Sequence, residues 1–301
     1  MGIMAPIARA ILREHRFRPI TGDGLLIGRQ TVPMSIQEAR TMLREEGVAE
    51  RPDFDPNAPF VRDTTTRSAA GFEYISDLGF FALFSDVRLK TLDVTDYEGA
   101  EIVHDMHHPV PPALHGAFDF IWNGSCLDNM FDPGMAMRST ARMLKPNGRV
   151  ICMEMATPHF EAYVTFSQAW FFDYFAINNF ADCKVYTLTF DPKKIFRGNY
   201  HVFRPNGFLA ISVQFPLGVL KPPFHTNSAR MSFVIAEAGA ASTWDQMPIQ
   251  AHYRPENPIY SGAYERFAAS SRPITSFKPD ITSHTLRKSR RAEYLGVMRG
   301  V

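Results

Sequence analysis

The chain has 301 residues, 45% of them apolar and 21% charged, close to the averages of folded globular proteins. That balance excludes a disordered or low-complexity protein, and a chain this long buries enough apolar surface to fold without disulfide staples. Thirty-two Lys and Arg against thirty-one Asp and Glu leave a net charge of +1, so no bulk field draws in nucleic acid. Cys126, Cys152 and Cys183 form no CxxC pair and no zinc pattern, which fits a reducing, cytoplasmic setting. Arg9 interrupts the mildly apolar start, and no apolar run of the ~18 residues that a membrane span needs follows it. Neither a signal peptide nor a membrane contact is expected. The 25 phenylalanines and 10 tyrosines imply a bulky core, with some rings able to line a pocket for a flat or apolar ligand.

In chain order, Ala8 to His15 reads as a helix, and Leu25-Leu26-Ile27-Gly28 as a short strand ending in glycine. Ser35 with Glu38 forms a capping-box pattern that opens a helix closed by Gly47. The stretch 51–67, with three prolines and a Thr64-Thr65-Thr66 run, is expected to be a surface loop or insertion. Phe72 to Phe84 is a predicted helix. Strands follow at Val87 to Leu92, Glu101 to Val103 and Phe118 to Trp122, then a helix from Pro133 to Met143. Lys145-Pro146-Asn147-Gly148 stops that helix and turns the chain. Val150 to Met153 is a strand, Gln168 to Phe175 a helix and Cys183 to Thr189 a strand.

Strands alternating with helices predict an α/β fold, a mostly parallel sheet with helices on both faces. Of two later apolar runs, Phe208 to Phe215 and Met231 to Ala236, one is expected to close the sheet. Residues 1–238 would then form the α/β domain, and 239–301 an irregular extension. From His284 that extension carries five basic residues against Glu293, which reads as a solvated basic tail.

In a parallel sheet, ligands bind beyond the carboxyl ends of the strands. The residues that end the predicted strands are Gly28, Asp93, Asp105, Asn123 and the segment Met155 to His159. A carboxylate at Asp93 can accept both hydroxyls of a ribose, and one at Asp105 an amino group of a base; capping of the next turn is the plainer role for either. The histidines His104, His107 and His108 flank Asp105 without a partner carboxylate at metal-site spacing, so no metal centre is expected. The aromatic run Phe171-Phe172 to Tyr174-Phe175 is expected to be core rather than pocket.

The run from Leu92-Asp93-Val94 to Ile102-Val103-His104-Asp105, then Phe118 to Gly124, then Met143-Leu144-Lys145-Pro146-Asn147-Gly148-Arg149, resembles the core of S-adenosylmethionine-dependent methyltransferases with the Rossmann-like fold. The resemblance covers Gly24 to Thr189, and more weakly Met231 to Tyr253. It implies a mostly parallel sheet with an antiparallel last strand and S-adenosyl-L-methionine as cofactor. It implies Asp93 at the cofactor ribose, Asp105 at the adenine amino group, Met106 among the cofactor-binding residues, and Asn123 and Gly124 beside the methionine part and the substrate.

The chain departs from that pattern in two places. The family's first strand normally leads into three spaced glycines, whereas here Gly28 is followed by Arg29-Gln30-Thr31-Val32-Pro33. Either Arg29 or Gln30 grips the methionine end in another way, or the cofactor is held weakly. In the helix opening after the third family strand, Asp128-Asn129 stands where relatives often carry Glu-His, and an asparagine cannot act as a general base. Asp128, His108 and His159 are the candidate bases. The leading expectation is methyl transfer to an oxygen or nitrogen of a small-molecule acceptor, a saccharide or secondary metabolite. The alternative is a catalytically inactive binding or assembly protein of the same fold. A nicotinamide enzyme ranks last, because it needs the glycine loop even more. Monomer and homodimer both remain open.

Overall fold

The computed structural model describes residues 2–66, 69–158, 162–205, 228–250, 258–270, 272 and 292–300. In chain order these form α1 (Ala5–Phe17), β1 (Asp23–Ile27), α2 (Ile36–Glu46), α3 (Asp77–Ala82), β2 (Arg88–Asp93) and β3 (Ile102–Val103). There follow β4 (Phe118–Gly124), α4 (Pro133–Met143), β5 (Leu144–Met155), α5 (Gln168–Ile177) and β6 (Asp182–Phe190). The described chain ends with β7 (Tyr200–Pro205), β8 (Ala229–Glu237), α6 (Pro258–Ala269) and β9 (Ala292–Met298). The strands make one sheet in the order β3-β2-β1-β4-β5-β8-β6-β7-β9. The first five are mutually parallel; β8 lies antiparallel between β5 and β6, and β7 and β9 extend that edge antiparallel.

Central parallel strands are covered on both faces and so read as near-continuous apolar runs. Leu25, Leu26 and Ile27 of β1 are all buried. Leu26 and Trp122 pack on one face with Ile11 of α1, Met42 of α2 and Phe81 of α3. Leu25 and Ile121 pack on the other with Met137 of α4, Phe171 and Phe175 of α5, and Phe267 of α6. The α5 aromatics are core.

Local signals set most boundaries. The Ser35–Glu38 capping box is formed in both directions and Gly47 caps α2 at φ 67°. Asp132 caps α4 through the Met135 amide, with Pro133 at the first helical position. Asn147 turns at φ 63°, and pairing of β5 with β4 resumes at Arg149 after Lys145 to Gly148 slip out of register. The helix expected from Phe72 begins only at Asp77. Ile75 instead bridges to Arg62, and the Ser76 hydroxyl accepts the Gly79 amide as an N-cap. Within 51–66, Val61, Asp63 and Thr66 are buried, so the stretch is anchored rather than merely surface loop. Its last residue, Arg67, lies outside the described residues.

Met231 to Ala236 falls in the antiparallel β8, while Phe208 to Phe215 lies outside the described residues. The expectation of an irregular stretch beyond 239 fails for Ala292–Met298. These residues pair with β7 from Tyr200↔Met298 to Pro205↔Ala292 and bury Leu295 and Met298, because the free edge of β7 offers unpaired backbone groups. Arg272 is buried too, ion-paired with Glu14, Asp182 and Glu237. His284 and the basic residues up to Arg291 lie outside the described residues. No helix among the described residues is long and apolar enough to cross a membrane.

Candidate functional site

The ends of β1, β2, β3 and β4 open on a cavity of about 400 Å³. Gly28, Asp93, Asp105, Met106, His107 and Met130 are among its walls. The two acidic strand ends thus meet at one hollow beside the first glycine. Parallel pairing places them there: Asp93 stands opposite Val103, and the amide of His104 donates to the Asp93 carbonyl at 2.8 Å.

Gly28 sits at φ 70° and its amide donates to the Leu92 carbonyl at 2.8 Å. A Cβ there would meet Cys126 Sγ at 3.2 Å and Asp93 Oδ2 at 3.8 Å. Both the left-handed backbone and the close approach therefore require glycine. The Cys126 thiol donates to the Ile27 carbonyl at 2.8 Å, and burial pushes its pKa well up, so it packs as a neutral thiol.

Arg29 and Gln30 do not line the cavity. The Arg29 guanidinium is held by Asp77 in a bidentate pair, Nη2 to Oδ1 at 2.7 Å and Nε to Oδ2 at 3.0 Å, and donates to the Glu98 carbonyl at 3.1 Å. Asp77 is fully buried and also accepts the Gln30 amide at 2.7 Å. Gln30 is 2% exposed and fills the space between two glycines. Its Nε2 lies 4.0 Å from the Cβ position of Gly28, and its Oε1 only 2.2 Å from that of Gly124. That Oε1 and the nearby indole nitrogen of Trp122 are buried without a hydrogen-bond partner. Sequence reading missed Trp122, because an indole in an apolar strand looks like core alone.

Asp93 is partly exposed; its Oδ1 accepts the Val94 amide at 2.6 Å. Asp105 accepts the backbone amide and ring Nδ1–H of His107 at 2.9 and 2.8 Å, which hold its carboxyl below the usual range. The other ring nitrogen of His107 accepts the Phe131 amide at 3.0 Å. His107 is thereby fixed as the Nδ1–H tautomer with both nitrogens engaged. His108 is exposed, its Nε2 3.9 Å from Asp105 Oδ2, and it stands outside the cavity lining. His104 Nε2 lies 3.1 Å from the His108 carbonyl.

Asn123 is fully buried and its Oδ1 accepts the Cys126 amide at 3.2 Å. Asp128 is buried in a 3₁₀ turn, Leu127 to Asn129, and its Oδ2 accepts the Ser125 hydroxyl at 2.7 Å. Neither Asn123 nor Asp128 reaches the cavity lining, whereas Asn129 does. Glu154 accepts the Leu127 and Asp128 amides at 3.1 and 3.2 Å. Burial and then the neighbouring Asp128 charge push its carboxyl well above the usual range. An acid inside the apolar run Val150 to Met155 was the available sign of this tie. His159 lies outside the described residues. Among the described residues no group of three His, Cys, Asp or Glu is placed to hold a metal ion.

The strand order and the antiparallel β8 define the Rossmann-like methyltransferase fold. Residues 99–183, less than half of the chain, match the ubiE/COQ5 methyltransferase family. The matched stretch includes Asp105 and Asn123 but begins after Gly28 and Asp93. No curated protein matches the chain. The CMeT domain of the citrinin polyketide synthase is 11% identical, with 73% of this chain and 47% of that one covered at a TM-score of 0.35. The chain thus spans about half of that structure's length. The Burkholderia thailandensis 1,6-didemethyltoxoflavin-N1-methyltransferase, solved with 1,6-didemethyltoxoflavin and S-adenosylhomocysteine, is 11% identical. It is covered over 76% of its length and 77% of this chain, at a TM-score of 0.33. Phosphoethanolamine N-methyltransferase 2 of Haemonchus contortus is 10% identical over 77% of this chain and 53% of that one, at 0.39.

Proposed function

We propose that the protein transfers a methyl group from S-adenosylmethionine to an oxygen or nitrogen of a small molecule, and that the cavity at Gly28 receives the cofactor. The observation that carries this reading is the convergence of Asp93, Asp105 and Gly28 on one hollow at the strand ends. The residues fit the group. Asp93 Oδ2 is left to accept from a ribose hydroxyl, and Asp105 with Met106 offers an acid and an apolar wall to a base. At the methionine end Gln30 fills the space between Gly28 and Gly124 that a glycine loop would leave open, and it stands outside the cavity lining, so this end must be met by Gly28 and the neighbouring lining residues. Arg29 supports this end by fixing α3 through Asp77 and so holding the Gln30 backbone.

When bound, the cofactor supplies an electrophilic methyl group on a sulfonium. The chain's own work is positioning, which by alignment alone supplies much of the acceleration in a displacement reaction. A base is required only for acceptors that must lose a proton. His108, exposed next to Asp105 though outside the cavity lining, is one candidate for that step. Asp128, buried on the Ser125 hydroxyl and outside the cavity lining, is the second candidate, and His159 is the third. Calorimetric titration of the full chain with S-adenosylmethionine and S-adenosylhomocysteine tests the reading. Saturable heat from both supports it; no heat from either at millimolar concentration overturns it.

A further inference from the structure

His107 joins the loops that follow β3 and β4, two strands that β2 and β1 hold about 14 Å apart in the sheet. On one side its backbone amide and ring Nδ1–H donate to Asp105 Oδ1 at 2.9 and 2.8 Å. On the other its Nε2 accepts the Phe131 amide at 3.0 Å. His107 lines the cavity, as do Asp105 and Met106 before it and Asn129 and Met130 just ahead of Phe131. One imidazole therefore ties two cavity walls that the sheet does not pair. It also occupies Oδ1 of Asp105, which leaves Oδ2, with His108 Nε2 3.9 Å away, as the oxygen for a ligand.

The tie depends on one protonation state. A neutral imidazole donates from one nitrogen and accepts at the other. A proton added at Nε2 keeps the bond to Asp105 and strengthens it by charge, but sets two donors, Nε2–H and the Phe131 N–H, against each other. Imidazole is the side chain that gains a proton as pH falls from about 8 to 5. The ionisable groups around it are Asp105, His104 and His108 on its own loop, Asp93 at the end of β2, and Asp128 and Asp132 on the facing loop. Asp128 is buried on the Ser125 hydroxyl, and Asp132 Oδ1 caps α4 through the Met135 amide at 2.9 Å. We infer that His107 is a positioning residue of the cofactor cavity: neutral, it clasps the two walls, and protonated, it releases the Phe131 side. This deepens, and rests on, the reading of the cavity as the cofactor site.

The test is calorimetry of the full chain with S-adenosylhomocysteine at about pH 7.5 and about pH 5.5, with proton–nitrogen correlation spectra of the same samples. Wild type is expected to bind about three- to tenfold more weakly at the lower pH, through loss of one hydrogen bond. His107→Gln offers Phe131 an acceptor that does not titrate, and should bind like neutral wild type at both values. His107→Phe keeps a ring without nitrogens and should bind at the weakened level at both. In the spectra the Phe131 amide signal should shift as the His107 ring is protonated, and should stay in place in His107→Gln. Equal wild-type affinity at both values, a fall that persists in His107→Gln, or undiminished affinity of folded His107→Phe overturns the clasp. So does a Phe131 signal that ignores ring protonation, whether or not the ligand binds. If S-adenosylhomocysteine binds at neither pH while the signal follows the ring, the cofactor reading falls and the clasp stands.

Discussion

Replacement of Asp93 by alanine tests the nucleoside reading at a single bond. One carboxylate oxygen already accepts the Val94 amide, so only Oδ2 is left for a ribose hydroxyl. A hydrogen bond to a charged group contributes about 1.5–3 kcal/mol, and the partial exposure of Asp93 moves the expectation to the lower part of that range. Asp93→Ala should therefore weaken S-adenosylhomocysteine roughly ten- to fiftyfold by titration calorimetry. Asp93→Asn keeps an acceptor without the charge and should lose roughly three- to tenfold. The fold should hold, since the Val94 amide left behind belongs to an exposed residue. A folded Asp93→Ala variant with wild-type affinity would refute the ribose contact and, with it, the orientation of the ligand in the cavity.

Gly28→Ala places a side chain at φ 70° and 3.2 Å from Cys126 Sγ. The left-handed conformation alone costs about 1–2 kcal/mol, so Tm should fall by roughly 2–6 °C, and an unchanged Tm contradicts the strain. Arg29→Ala leaves the buried Asp77 carboxylate without its guanidinium. Removal of one partner of such a pair costs about 3–5 kcal/mol in urea unfolding, and a loss under about 1 kcal/mol would show the pair to be idle. His15 donates no bond to the Ile20 amide but accepts one at 3.1 Å, and burial, then the Arg149 charge, lowers its pKa from 6.5 to about 4. The folded state thus binds fewer protons than the unfolded one between these values. Stability from this site is complete above 6.5 and is lost as pH falls toward about 4. The Tm advantage of wild type over His15→Gln should shrink over that interval; an advantage constant with pH contradicts the assignment.

The parallel half of the sheet was legible because each strand is an apolar run closed by a polar residue. Capping at Ser35, Asp132 and Gly47 left local chemical marks as well. The last two strands of the antiparallel side were not legible. β7 and β9 are half exposed and mixed in character, and their pairing joins Tyr200 to Met298, far apart in sequence. Phe72 misled because its apolar spacing imitates a helix while Ser76 holds the actual cap. At the site, the acids at the strand ends could be read from order alone. The roles of Arg29 and Gln30 could not, since they depend on Asp77 and Gly124, residues that the chain brings close only on folding.

Glu14, Arg149, Asp182, Glu237 and Arg272 gather where β5 and β6 meet β8 at Arg149↔Glu237 and Asp182↔Glu237. Gly28, Asp93 and Asp105 occupy the contrary ends of the strands. The two regions share no side chain, so their substitutions should sum independently. Robustness and ligand preference are therefore separable traits here: an engineer can harden one rim of this molecule and retune the other.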